Sequence, residues 1–440
     1  MRAQLRRWSR FAPYLLPDAD EAVLAATNRA LVSSQLSLLG SLEADLSTSL
    51  ATADQALRGL DAGSVELRRA ADAAAHACTD RRAPMAAAVL GALAKCHLDD
   101  DRQRGIDDWR TRFAFVQGTT PATLARLRDA TLAACGSAGQ WWQARAVVVG
   151  GEYCDRRVGL DSPPVALDTH AAMAAEALAA AVPQLADGAR SAAARIRPGV
   201  DNQVVIEADG RISATVAHRP TPRGSLMVAH EIGHALHAVE SRSPEPPGAL
   251  VGETVACWAS LVAGRRYLAD ASSRPAASAA ALALGDTLVE ELFVSAAVSA
   301  FEDAIYRITQ SGVPVTVDAL DDAWITAHRE LLGVAVPVPG QIGSGWARLP
   351  SLATDPGHAF SYVWATVLAA AIVGRCGGTD TGVVAAAIRA GGIEADEFTA
   401  LLGFDGDEWI EEGLAMLAAE LARLGQLLGS STSPDTSPAG

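Results

Sequence analysis

Residues 230–237 read His-Glu-Ile-Gly-His-Ala-Leu-His, a run that makes a coherent chemical surface only on an α-helix. Side chains four apart then lie one turn above another on the same face. His230 and His234 can offer two imidazole nitrogens to a single cation, and Glu231 sits beside them with its carboxylate free. Zinc hydrolases assemble two ligands and a general base in this way. The flanks agree with a helix. Pro220, Pro222 and Gly224 interrupt the chain just before it, with Thr221 as N-cap and Pro222 at the first helical position. Gly233 leaves space for another element to pack closely, and the Ser/Pro-rich stretch from Ser241 to Pro247 ends the helix.

Catalytic zinc takes three protein ligands and keeps one position for water. The next helical stretch, Leu250 to Gly264, holds one carboxylate, Glu253, among Leu, Val, Ala and Trp. A lone acid there is costly to bury without a charge partner, and a zinc ion supplies one. The competing readings are a Glu at the solvated start of a helix, or a third ligand from a downstream His. The close His-x-x-Gly-x-x-His continuation of the metzincins is missing after His234. His237 reads as a hydrogen-bonding neighbour and not a fourth ligand, and Cys257 as a packing residue. His76, His97, His170, His218 and His328 read as structural.

Beyond the zinc motif, Val289–Tyr306 resembles a helix of the M3 metallopeptidases, in their oligoendopeptidase F branch, that ends Phe-Glu-x-x-Ile, here Phe301-Glu302 to Ile305. Asp321–Gly333, the strip Ala359-Phe-Ser-Tyr-Val-Trp-Ala-Thr366 and the segment Leu401–Trp409 followed by Gly413 resemble further stretches of that family. The similarity spans roughly residues 200–428. It implies a mainly α, two-lobed helical zincin with a small antiparallel β element beside the active-site helix. It also implies one Zn²⁺ per chain held by His230, His234 and Glu253, with Glu231 as general base. Tyr362 matches a tyrosine that hydrogen-bonds the substrate carbonyl in the family; a buried core tyrosine is the alternative. The family's histidines and tyrosines just before that position are missing. Only His358, four residues before Tyr362, could serve as a second donor to the oxyanion; a surface His following the Pro-Gly turn is the alternative. Ala256 and Ser260 stand where the family usually has Ser and Glu.

The resulting expectation is a cytoplasmic zinc endopeptidase cleaving oligopeptides through a metal-activated water. Two rivals stand beside it: a zinc-binding pseudo-peptidase or accessory peptide-binding protein, and a peptidase dedicated to one biosynthetic precursor. The net charge of −15 over 440 residues argues against nucleic acid as a partner. No apolar run reaches the length of a membrane span. Six scattered cysteines without a Cys-x-x-Cys pair suit a reducing compartment. The oligomeric state is left open.

The expected division is an N-terminal helical lobe over 1–200, a catalytic domain over 201–428 and a disordered Ser/Thr/Pro/Gly tail over 429–440. In the first lobe, Glu21–Leu38, Val65–Ala77, Ala83–Leu98 and Pro121–Ala134 read as helices, with turns at Gly63, Asp99–Asp101 and Gly118. Gln203–Ala208 and Arg211–Ala217 around Asp209-Gly210 form a hairpin pattern. Its edge could pair with an extended peptide, or it could be purely structural.

Overall fold

The computed structural model describes residues 6, 9–58, 64–207, 209–241, 247–376 and 381–431. The chain is mainly helical, with one small sheet. Helices Asp18–Arg58, Val65–Arg104, Arg110–Gln117, Pro121–Ala133, Gly136–Val149, Leu167–Ala181 and Ala186–Ala193 precede the sheet. Those after it include the motif helix Pro222–Ser241, the glutamate helix Ala249–Ala269, Arg274–Val289, Ser295–Gln310, Val317–Leu332, the tyrosine helix His358–Cys376 and the closing helix Glu408–Ser431. No helix among the described residues is long and apolar enough to cross a membrane.

Two expected helices are in fact one. Val65–Arg104 runs for 40 residues through Pro84 and through Asp99–Asp101, and stops at Gly105 in the left-handed region (φ 73°). The three aspartates do not break it because arginines neutralise them. Arg102 reaches Asp99 at 3.0 Å, Arg104 reaches Asp100 at 3.1 Å, and Arg112 pairs with both Asp100 and Asp101. Gly118, by contrast, does end a helix (φ 75°). Gly63 lies outside the described residues. At the other end, the closing helix continues through Gly429 to Ser431, past the expected tail boundary. The rest of that tail lies outside the described residues.

The sheet has three strands in the order β1-β3-β2, with β1 Ile196–Pro198, β2 Gln203–Ile206 and β3 Ile212–Val216. β2 and β3 form the expected antiparallel hairpin, turning at Gly210 (φ 80°). β1 adds itself parallel to β3, so the sheet is mixed and not purely antiparallel. Three residues ending in proline carry no readable alternation, which is why the sequence hid β1. β2 is left on the edge.

One continuous apolar core joins residues from both halves of the chain, from Ala83 to Leu428. The glutamate helix runs through it with Leu250, Val255, Ala256 and Ala259 almost wholly buried. It packs against the motif helix on one side and the tyrosine helix on another. Gly233 sets the first approach: a Cβ there would lie 2.6 Å from the Cα of Ala256 and 2.8 Å from the carbonyl oxygen of Val255. Any larger residue would force the two helices apart.

Candidate active site

The motif helix starts where the prolines and Thr221 place it. The Thr221 hydroxyl accepts the Gly224 N–H at 3.1 Å, meeting one of the donors a helix start leaves open. From there the 3.6-residue turn puts the His230 and His234 rings edge to face, with centroids 4.9 Å apart. The glutamate helix brings Glu253 against them. Its Oε2 lies 3.3 Å from His230 Nε2 and 3.6 Å from His234 Nε2.

This trio fits a zinc ion. Bonds of about 2.0–2.1 Å in a tetrahedron imply roughly 3.4 Å between neighbouring ligand atoms, the separation that Glu253 keeps from each imidazole. Glu253 Oε2 is buried with no hydrogen-bond partner, an orphaned acceptor that a cation would satisfy. Two nitrogens and one carboxylate oxygen are a recurring donor set for catalytic zinc. Burial opposes charge on His230 and Glu253, yet attraction between the imidazoles and the carboxylate wins. It holds His230 up at about 9 and Glu253 below the usual carboxylate range.

His230, Cys257 and Glu291 form a second cluster of possible donors that shares His230. Cys257 is the weaker donor, since burial in an apolar setting pushes its thiol well above its ordinary value and keeps it protonated. Glu291 was not foreseen. The chain makes a π-helical turn over Glu290–Val294, between two α-helices. The wider turn sends Glu290 to Arg223 and brings Glu291 Oε1 within 3.9 Å of His230 Nδ1. Burial raises the Glu291 carboxyl to about 7. Periodicity does not reveal a π turn; two adjacent glutamates in an apolar stretch were the only hint.

His230, His234, Glu253 and Glu291 face a cleft of about 900 Å³. Glu231, almost wholly buried, lines it, and burial raises its carboxyl above the ordinary range. Tyr362 and His358 line it as well. The Tyr362 ring stacks along His230 (centroids 6.2 Å, 22°), and its hydroxyl makes no hydrogen bond to another described residue. His358 sits edge-on to Tyr362 at 5.5 Å, with Nδ1 3.2 Å from Asp355, whose carboxylate raises the imidazole above its ordinary value. Glu302 anchors the turn before them by accepting the Gly357 N–H at 3.0 Å. Gln203 to Ile206 of the edge strand β2 line the same cleft. His237 is the exception. It does not reach the cleft, lies buried in the core with Nδ1 unpartnered, and is held neutral by burial at about 4.

No family model matches this sequence, and no curated protein matches it either. Its fold, however, is that of solved peptidase structures. Oligoendopeptidase-F from Enterococcus faecium superposes with a TM-score of 0.75 at 16% identity, over 98% of this chain and 78% of that one. A candidate peptidase from Chlamydophila abortus gives a TM-score of 0.79 at 14% identity, over 97% and 77% of the two chains. A candidate oligoendopeptidase F gives 0.75 at 14% identity, over 97% and 79%. At these identities the likeness is one of fold.

Proposed function

We propose that this chain is a zinc-dependent endopeptidase that hydrolyses peptide bonds in oligopeptides. The observation that carries the reading is the convergence of His230, His234 and Glu253 beside Glu231, in a cleft flanked by a free strand edge. When bound, zinc supplies Lewis acidity and makes water acidic enough to lose a proton near neutral pH. His230, His234 and Glu253 hold the ion. Glu231 takes the proton from the attacking water onto its carboxylate and passes it to the leaving amine, a task its raised proton affinity suits. Tyr362 donates its O–H to the carbonyl oxygen, with His358 as the second donor, where negative charge develops. Main-chain bonds from β2 would hold the extended peptide without reading its side chains. Glu291 would steady the His230 ring from its other nitrogen.

The division into a helical lobe over 1–200 and a catalytic domain over 201–428 belongs to the same proposal, as does a cytoplasmic location. A quenched-fluorescence peptide library tests the activity. The zinc-loaded protein should cleave it, a chelator should stop cleavage, and added zinc should restore it. Cleavage of nothing in the library by the zinc-loaded protein would sink the general peptidase. Cleavage of one sequence alone would favour an enzyme dedicated to a single precursor.

A further inference from the structure

Behind the ion pair of Arg223 and Glu290 lies a second cavity, of about 290 Å³. Both residues line it and also line the cleft, so the pair is a wall that the two spaces share. Its chemistry is the reverse of the cleft's. Arg145, Arg156, Arg157, Arg223 and Arg348 line it; Asp286 pairs with Arg145, Glu290 with Arg223, and Asp72 with Arg156 at 2.8 Å. Aromatic rings, among them Trp141, Trp142 and Trp324, form much of the remaining wall.

Arg145 is the most telling member. Only 1% of it is exposed, and Asp286 holds it through Nε at 3.0 Å and Nη2 at 3.3 Å. Nη2 also donates to the carbonyl oxygen of Asp155 at 3.0 Å. Its third nitrogen, Nη1, is buried and has no hydrogen-bond partner. Asp286 has little left to give, because the Trp141 Nε1–H also donates to it at 2.9 Å. His76 lines the same cavity with both ring nitrogens buried and without a hydrogen bond, its nearest acid being Asp72 at 3.6 Å. Buried donors left unmet are costly, and a guanidinium is shaped to grip a carboxylate.

We infer that this cavity is a carboxylate-binding subsite. It takes an acidic side chain, or the free C-terminal carboxylate, of a peptide whose scissile bond lies in the adjoining cleft. The inference rests on the peptidase reading for what enters the cleft, but its test does not depend on turnover.

The test uses full-length Glu231→Gln protein, zinc-loaded, and pairs of peptides that differ in one group. One arm compares Glu with Gln at successive positions, and the other compares a C-terminal acid with its amide. Isothermal titration should find the acid member of one arm bound roughly tenfold more tightly. Which arm shows the preference identifies the source of the carboxylate. The ratio should fall to within about twofold in an added Arg348→Gln change and return with Arg348→Lys, which keeps the charge. Equal affinities in both arms would overturn the inference even if wild type cleaves every peptide. A ratio indifferent to Arg348→Gln would overturn it as well. An acid preference in a chain that cleaves nothing would keep the subsite and reject the peptidase. Absence of binding by any peptide would reject both.

Discussion

The cleft and the arginine cavity share a wall yet gather opposite charges. Around His230 the fold collects Glu231, Glu253 and Glu291, acids that repel one another unless a cation stands among them. Around Arg145 it collects guanidiniums and indoles, which attract an anion. Each space leaves a buried polar atom unmet, Glu253 Oε2 in one and Arg145 Nη1 in the other, and such atoms are costly until a partner meets them. The contrast suggests a division of work: the acidic space performs chemistry, and the basic space recognises part of the substrate.

Changes confined to one space should leave the other working. The largest effect is expected from Glu231→Gln, with cleavage falling by about 10²–10⁴-fold and zinc content staying at one ion per chain by metal analysis. Loss of zinc in this variant would mean that Glu231 helps to hold the metal. Next comes Glu253→Ala, which removes a ligand and should weaken zinc affinity at least roughly 100-fold in a chelator competition. The carboxylate preference in the neighbouring cavity should survive that change; its disappearance would show that the two spaces cannot be separated.

A subtler change acts through packing. Gly233→Ala forces the motif and glutamate helices apart where a Cβ would meet Ala256, and overpacking of this kind costs about 1–3 kcal/mol. The melting temperature should drop by several degrees and zinc affinity should fall with it, since Glu253 moves away from both imidazoles. Unchanged zinc affinity would show that the helix spacing is not what places Glu253.

The smallest effect concerns Glu302, buried below the cleft's edge. Burial raises its carboxyl to about 8, against an ordinary value near 4.5. The folded state therefore prefers the neutral form. Its contribution to stability is complete below about pH 4.5 and is lost as pH climbs through 8. Glu302→Gln keeps an acceptor for the Gly357 N–H without that ionisation. It should melt a few degrees higher than wild type at pH 8 and close to wild type at pH 5. A gain of the same size at both pH values would count against ionisation as the cause.

Much of the site is legible in the chain because it depends on local geometry. His230 and His234 share a face because residues four apart do, and Glu231, three residues before His234, lies beside them. Glu253 stands out as an acid in a run that must be buried. Tyr362 and His358 were named from a resemblance, and they line the same cleft. What stayed hidden has a common cause. Glu291 reaches His230 only because the backbone widens into a π turn, which no side-chain pattern announces. Asp99–Asp101 looked like a turn, since the arginine that neutralises two of them, Arg112, comes from the next helix. His237 has the spacing of a neighbour to His234 but points into the core, where burial holds it neutral.

Within one helix, covalent geometry and the hydrogen-bond ladder leave side chains little choice, so the spacing of the two histidines and Glu231 was set by the sequence alone. The gap between Glu253 and the imidazoles belongs to a different scale. It depends on how closely two helices approach at Gly233, and that distance exists only once the surrounding core has closed. The arginine cavity is likewise tertiary, since Arg145, Arg223 and Arg348 are far apart along the chain and meet only through packing.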